Sequence, residues 1–81
     1  MTKKIDEARL REWIRNYLGK LRNVAPESIE LDRTLGDYGM DSVDAVLMAG
    51  ELEDDFETEV DPASFLQYDS FEKLVVGISR D

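Results

Sequence analysis

The sequence contains neither cysteine nor histidine, and both absences limit the chemistry open to the protein. Without cysteine the chain can form no disulfide framework. A Ser-His or Cys-His nucleophile pair cannot be built, and the common zinc and iron–sulfur ligand sets are also missing. The sequence has no D-x-D-x-D-G calcium loop and no phosphate-binding G-x-x-x-x-G-K-S/T motif. We therefore expect a protein that is not an enzyme, in which any serine nucleophile depends on another protein for activation.

Long apolar runs are absent as well. No run of the sequence is long enough to cross a bilayer, and the first four residues, Met-Thr-Lys-Lys, lack the apolar segment of a signal peptide. The 81 residues are 42% hydrophobic, which is enough for a folded domain with a modest core. We expect a single domain over residues 1–81, cytoplasmic and monomeric.

Positive charge is missing from the middle of the chain. The net charge is −9, and residues 34–72, which we call the acidic segment, carry twelve Asp or Glu and no Lys or Arg. Residues 1–33 carry eight Lys or Arg against six Asp or Glu. The negative electrostatic potential of the acidic segment repels nucleic acid and anionic membranes and favours a partner with a basic patch. The simpler interpretation is a solvated face that keeps the protein soluble.

Hydrophobic periodicity predicts an all-α fold, a small bundle of three main helices and one short helix. The main helices are predicted at Ile5–Leu21, at Ser42–Phe56 and within residues 69–78, where Asp-Ser-Phe-Glu is a capping-box-like start. The short helix is predicted to follow Asp61 as its cap, with Pro62 in its first turn.

Residues 23–41 are predicted to form one long connection between the first two main helices, with a turn near Pro26–Ile29. Apolar residues recur along it at Ile29, Leu31 and Leu35, so we expect it to pack onto the core. A connection this long in so small a domain is usually functional.

Ser42 stands where this connection ends and the second helix begins. It is open to three interpretations: a helix cap, a nucleophile, or a handle for an attached group. Asp41 can supply the capping oxygen, and Asp44 adds negative charge at the positive end of the helix. Ser42 would then be the first helical residue, with its hydroxyl facing solvent and available to another enzyme.

The two sides of the second helix differ. At about 100° per residue, the core arc contains Ala45, Met48, Ala49, Leu52 and Phe56. The opposite side mixes apolar and acidic groups, which is typical of a protein contact. We call its five principal residues the recognition face: Asp44, Val46, Leu47, Glu51 and Asp54. The alternative is that the long connection covers Val46 or Leu47.

The segment Gly39-Met40-Asp41-Ser42-Val43 resembles the G-x-D-S-L attachment motif of acyl carrier proteins. The resemblance extends over nearly the whole chain, from Ile5 to Ile78. It includes Leu-Gly-Asp before the motif, Glu-Leu-Glu-Asp-Asp-Phe after it, and the later Val-Asp-Pro and Phe-Glu-Lys-Leu segments.

This resemblance implies a function. Members of the family carry a 4′-phosphopantetheine arm on the motif serine, here Ser42, with Asp41 flanking it. The thiol of the arm holds an acyl chain as a thioester, which explains how a chain without cysteine can serve thioester chemistry. The implied partners are a phosphopantetheinyl transferase that uses coenzyme A, an acyl-activating or loading enzyme, and a ketosynthase or other acyl-transferring enzyme.

Some residues depart from the usual family pattern. Val43 replaces a frequent leucine, and Leu47 and Gly50 differ from carriers of fatty acid synthesis. The Asp37-Tyr38-Gly39 approach is more similar to carriers of polyketide or lipopeptide assembly. Two alternatives stay open: a peptidyl or aminoacyl carrier of nonribosomal peptide assembly, and an acidic helical adaptor with no covalent group.

Overall fold

The computed structural model describes residues 6–79, apart from the side chain of residue 64. Within that range the chain forms three main helices and a short one, which confirms the predicted all-α bundle. The helices are α1 (Glu7–Arg22), α2 (Ser42–Phe56), α3 (Ala63–Gln67) and α4 (Phe71–Ser79). Two 3₁₀ turns, Pro26–Ser28 and Gly36–Tyr38, lie in the connection between α1 and α2.

A side-chain cap fixes where α1 begins, and a left-handed backbone conformation fixes where it ends. The Asp6 carboxylate accepts a hydrogen bond from the Ala8 N–H at 3.1 Å, which satisfies one of the free donors of the first turn. The helix ends at Asn23, whose φ of 58° places it in the left-handed region that commonly terminates helices. The predicted start at Ile5 lies outside the described residues.

The later helices follow the predicted order, with two corrections. Pro62 occupies the cap position of α3 and not its first turn, although the Asp61 carboxylate does accept the Ala63 N–H at 3.0 Å. At the start of α4, the Ser70 hydroxyl accepts the Lys73 N–H at 3.2 Å. Glu72 does not close the expected capping box, because α4 begins at Phe71 and Glu72 is its second residue and not its third; its carboxylate pairs instead with an arginine of α1.

The core draws on all four helices and on the connection. Side chains that are essentially inaccessible to solvent include Leu10, Ile14 and Leu18 of α1, Met48 and Leu52 of α2, Phe65 of α3, and Phe71 and Leu74 of α4. Ile29, Leu31 and Leu35 are also buried, which confirms that the connection packs onto the core. The start of α2 is therefore joined to a segment that is itself anchored.

Backbone hydrogen bonds attach the connection to α4. The Phe71 N–H donates to the Arg33 carbonyl at 3.0 Å, and the Glu72 N–H donates to the Leu31 carbonyl at 2.8 Å. These two N–H groups belong to the first turn of α4, where backbone donors have no acceptor within the helix. The connection thus supplies the backbone cap of α4.

An aromatic cluster joins α1 to the end of α2. Trp13 stacks on Tyr17 with ring centroids 5.2 Å apart and meets Phe56 edge-on at 6.4 Å. The indole N–H of Trp13 donates to the Asp55 carboxylate. Phe56, predicted as a core residue, is only half-buried. It lies at the rim of the core, where the Arg9 guanidinium covers its ring at 5.3 Å.

An ion pair joins α1 to α4. The Arg11 guanidinium contacts both carboxylate oxygens of Glu72, with Nε distances of 3.1 and 3.2 Å, and reaches Glu7 at 3.0 Å. The hydrogen bond from Arg11 is the main reason that the pKa of Glu72 is lowered. The same bond raises the pKa of Arg11, so both groups favour the charged pair.

Candidate functional site

Ser42 is the first residue of α2, and its side chain is exposed. Asp41 precedes it as the cap, and the two flanking aspartates form a reciprocal capping box. The Asp44 N–H donates to Asp41 Oδ1 at 3.1 Å, and the Asp41 N–H donates to Asp44 Oδ2 at 3.1 Å. These bonds satisfy the helix start without the serine. The Ser42 hydroxyl is left available at the surface.

The approach to Ser42 is tightly folded. The 3₁₀ turn Gly36–Tyr38 ends at Gly39, whose φ of 71° lies in the left-handed region that glycine adopts without a steric penalty. Met40 follows and is buried, and its N–H donates to the Leu35 carbonyl at 3.0 Å. Ser42 therefore lies two residues from a buried anchor, on a chain segment whose direction is fixed.

The same turn is closed at its start by a second reciprocal pair. The Thr34 N–H donates to the Asp37 carboxylate at 3.1 Å, and the Asp37 N–H donates to the Thr34 hydroxyl at 3.2 Å. Asp37 thus serves as a local cap, in the way that Asp44 serves α2. Both acids lie close to Ser42 in the sequence and have structural roles in addition to their charge.

The recognition face is exposed where the sequence predicted it. Val46 is 55% exposed and Leu47 is 59% exposed, so the connection covers neither of them. Glu51 and Asp54 are exposed, whereas Asp44 is half-buried because it takes part in the capping box. The structure therefore presents apolar and acidic side chains together along the solvent side of α2.

One exposed apolar residue near this region was not assigned a role from the sequence. Leu66 of α3 is 61% exposed, and α3 packs against α2. A helix of five residues is too short for periodicity to separate its two sides, so the sequence pattern does not predict that Leu66 is exposed. Like Leu47, Leu66 is an exposed apolar side chain of the kind that marks protein contact sites.

The pKa of Tyr17, a residue of α1, is raised by burial and in part by the negative charges on α2. Burial raises the pKa of the Tyr17 phenol, and the charges of Glu51 and Asp44 raise it further. The phenol therefore stays protonated and can act as a donor toward these carboxylates.

Within residues 6–79, no group of three or more His, Cys, Asp or Glu side chains is arranged to hold a metal ion. In the same range, no helix has the length and apolar character needed to cross a membrane.

Most of the chain matches a known protein family. Residues 12–75, which include Ser42 and both flanking aspartates, match the family model described as phosphopantetheine attachment site. The chain belongs to this carrier protein family. Members of the family bear a covalently attached 4′-phosphopantetheine.

One group of proteins with similar sequences consists of polyketide synthase subunits. The chain is 34% identical over 73 residues to one subunit of the phenolphthiocerol/phthiocerol polyketide synthase from Mycobacterium tuberculosis and Mycobacterium bovis. That alignment covers 90% of this chain and 4% of the much longer synthase polypeptide.

A solved structure with a similar fold is a free-standing peptidyl carrier protein from an uncharacterized secondary metabolic pathway of Acinetobacter baumannii. The two chains are 33% identical, with a TM-score of 0.73, and the match covers 86% of this carrier and 88% of the other. The fold is therefore that of a carrier protein, and a polyketide synthase subunit and a peptidyl carrier protein are among the proteins it resembles.

Proposed function

We propose that Ser42 accepts 4′-phosphopantetheine from coenzyme A, and that the protein then carries an acyl intermediate between partner enzymes. The arm would supply the thiol that the sequence lacks, so that the intermediate is held as a thioester. The observation that carries this proposal is the exposed Ser42 hydroxyl on a helix start that Asp41 and Asp44 already cap. A serine needed for capping could not be modified without a loss of stability.

The surroundings of Ser42 fit a phosphodiester. The first turn of α2 is the positive end of the helix dipole, which offsets part of the repulsion between a phosphate on Ser42 and the carboxylates of Asp41 and Asp44. The side chain projects from the surface, so a transferase can reach its oxygen. The flanking carboxylates of Asp41 and Asp44 are engaged in the capping box, and we assign removal of the hydroxyl proton to the transferase.

The recognition face would select the partners. Glu51 and Asp54 would steer enzymes with basic surfaces toward α2, and Leu47 would be the apolar anchor within that charged rim. Partners of this kind are a phosphopantetheinyl transferase, a loading enzyme and a ketosynthase or other acyl-transferring enzyme. Similarity to a polyketide synthase supports a role in polyketide or related lipid biosynthesis.

A mass spectrum tests the attachment. After incubation with coenzyme A, magnesium and a broad-specificity transferase, the protein should gain one phosphopantetheine, and peptide mapping should place it on Ser42. Ser42→Ala should gain none and should still fold, because its hydroxyl takes no part in the capping box. Ser28→Ala is the matched control at another exposed serine and should be modified normally. Modification at any other serine would contradict the proposal.

The second candidate is a peptidyl or aminoacyl carrier, which the similarity to the Acinetobacter baumannii protein favours. Loading of the modified protein separates the two. An acyl carrier should form a thioester with acyl groups and not with amino acids supplied by adenylating enzymes, and a peptidyl carrier should do the reverse. Membership of the family argues against an adaptor without a covalent group, and an unmodified Ser42 would restore that alternative.

A further inference from the structure

The side chain of Tyr38 binds the backbone of a residue eight positions earlier. Its hydroxyl donates a hydrogen bond to the Glu30 carbonyl at 2.7 Å and accepts one from the Glu30 N–H at 2.9 Å. Both polar groups of one peptide residue are therefore satisfied by a single hydroxyl. This closes the connection into a loop that runs from Glu30 to Tyr38.

Tyr38 also contacts two helices. Its ring lies against Phe71 at the start of α4, with centroids 5.9 Å apart and planes inclined by 56°. Its backbone carbonyl accepts a hydrogen bond from Arg22 Nη1 of α1 at 3.2 Å. One residue thus joins the connection to the end of α1 and to the start of α4.

Ser42 lies only four residues after Tyr38. The intervening residues have little freedom, because the Tyr38 N–H and the Met40 N–H both donate to the Leu35 carbonyl at 3.0 Å. The capping box fixes Ser42 relative to α2, but it does not fix the start of α2 relative to α1 and α4. The contacts of Tyr38 supply that second restraint.

We infer that Tyr38 is a positioning residue for Ser42, and this inference rests on the proposed attachment function. Tyr38 does not touch the reacting atoms. It holds the Gly39–Asp41 approach in the arrangement that a transferase recognises. If that arrangement were only partly populated, the apparent affinity of the transferase would fall in proportion to the population lost. The maximal rate at saturating carrier would change little.

Tyr38→Phe is the direct test, because phenylalanine keeps the ring against Phe71 and loses both hydrogen bonds to Glu30. We expect the transferase KM for the carrier to rise roughly fourfold to ninefold, because two exposed hydrogen bonds are lost and each contributes about twofold to threefold. The kcat should stay within about twofold of the wild-type value. The matched control is Ser28→Ala, which removes the 2.7 Å bond from the Ser28 hydroxyl to the Ala25 carbonyl in the same connection. Its KM should not change.

Arg22→Ala provides a second variant that disturbs only the surface. It removes the hydrogen bond to the Tyr38 carbonyl and leaves the tyrosine side chain in place. We expect a smaller rise in KM, about twofold to threefold, because one exposed bond is lost.

Amide hydrogen exchange of the carrier alone gives a readout that direct contact with the transferase cannot affect. In Tyr38→Phe the Met40 amide should exchange faster, since the turn that protects it is loosened, while the amides in the middle of α1 should be unchanged. Circular dichroism should show the same helix content in both proteins.

The outcomes separate the two proposals. A wild-type protein that gains no group at Ser42 overturns the proposed function and the inference together. A wild-type protein that is modified normally, beside a Tyr38→Phe variant with unchanged KM and unchanged exchange at Met40, overturns the inference alone. An equal rise in KM for Ser28→Ala would also overturn it, since any loosening of the connection would then suffice.

Discussion

Replacing Leu52 with alanine should remove one of the principal anchors of α2. The side chain is 0% exposed, so the substitution deletes buried atoms and leaves a cavity. Truncations of this kind cost about 2–5 kcal/mol of unfolding free energy. An 81-residue domain has a total of about 4–12 kcal/mol. The variant is therefore expected to lose a large fraction of its stability, and its melting temperature should fall by at least about 8 °C.

Leu47→Ala is the matched control. It makes the same chemical change in the same helix, five residues earlier, so the effect on helix propensity is the same in both variants. Leu47 is 59% exposed and contributes little to the core. We expect its unfolding free energy to stay within about 0.5 kcal/mol of the wild-type value.

Urea unfolding followed by far-ultraviolet circular dichroism measures both variants under one condition. A large loss of stability in Leu47→Ala, comparable to that of Leu52→Ala, would show that Leu47 is a core residue and would remove the centre of the recognition face. If Leu47→Ala is stable, the same protein can be tested for docking. Its binding to a cognate acyl-transferring enzyme should weaken by more than about 1 kcal/mol if Leu47 is a binding hot spot.

Charged residues provide two further predictions. Replacing Glu51 or Asp54 by lysine should slow association with a transferase or loading enzyme in stopped-flow measurements. Added salt should shrink the difference between the variant and the wild type, because exposed charges are screened over about 8–10 Å. Association rates that respond neither to the substitutions nor to salt would indicate apolar docking. Glu72→Gln should lower stability at neutral pH, because the pKa of Glu72 is depressed by Arg11. That contribution is complete above the ordinary glutamate value of 4.5 and is lost as the pH falls through the lower folded value. Urea unfolding at several pH values should therefore show the variant and the wild type converging in acid, and a constant difference would contradict this.

The local features of the fold could be predicted from the sequence. The bounds of α2 follow from an aspartate at the cap and an apolar arc that ends at Phe56, and the exposure of Ser42 follows from the same cap. Each of these signals lies within a few residues of the feature that it predicts. The shift of one residue at the start of α3 has the same origin, since Pro62 is compatible with either the cap or the first turn.

The contacts between distant residues could not be predicted in this way. Tyr38 binds Glu30, Arg11 binds Glu72 across 61 positions, and Trp13 binds Asp55 across 42. Such pairs leave no periodic pattern, because each depends on how the helices pack after they form. The serine proposed for attachment was therefore identifiable from the sequence, while the residue proposed to position it was identifiable only from the structure.

The aromatic cluster gives the protein a natural optical probe of its folded state. Trp13 is the single tryptophan of the chain, and its ring lies between Tyr17 and Phe56, beside the last turn of α2. Ser42 lies at the other end of that helix, about 20 Å away for fifteen residues. Fluorescence from Trp13 should therefore change when α1 separates from α2, and should change little when a group is attached to Ser42. One unlabelled signal can thus compare the stability of the bare and the loaded protein.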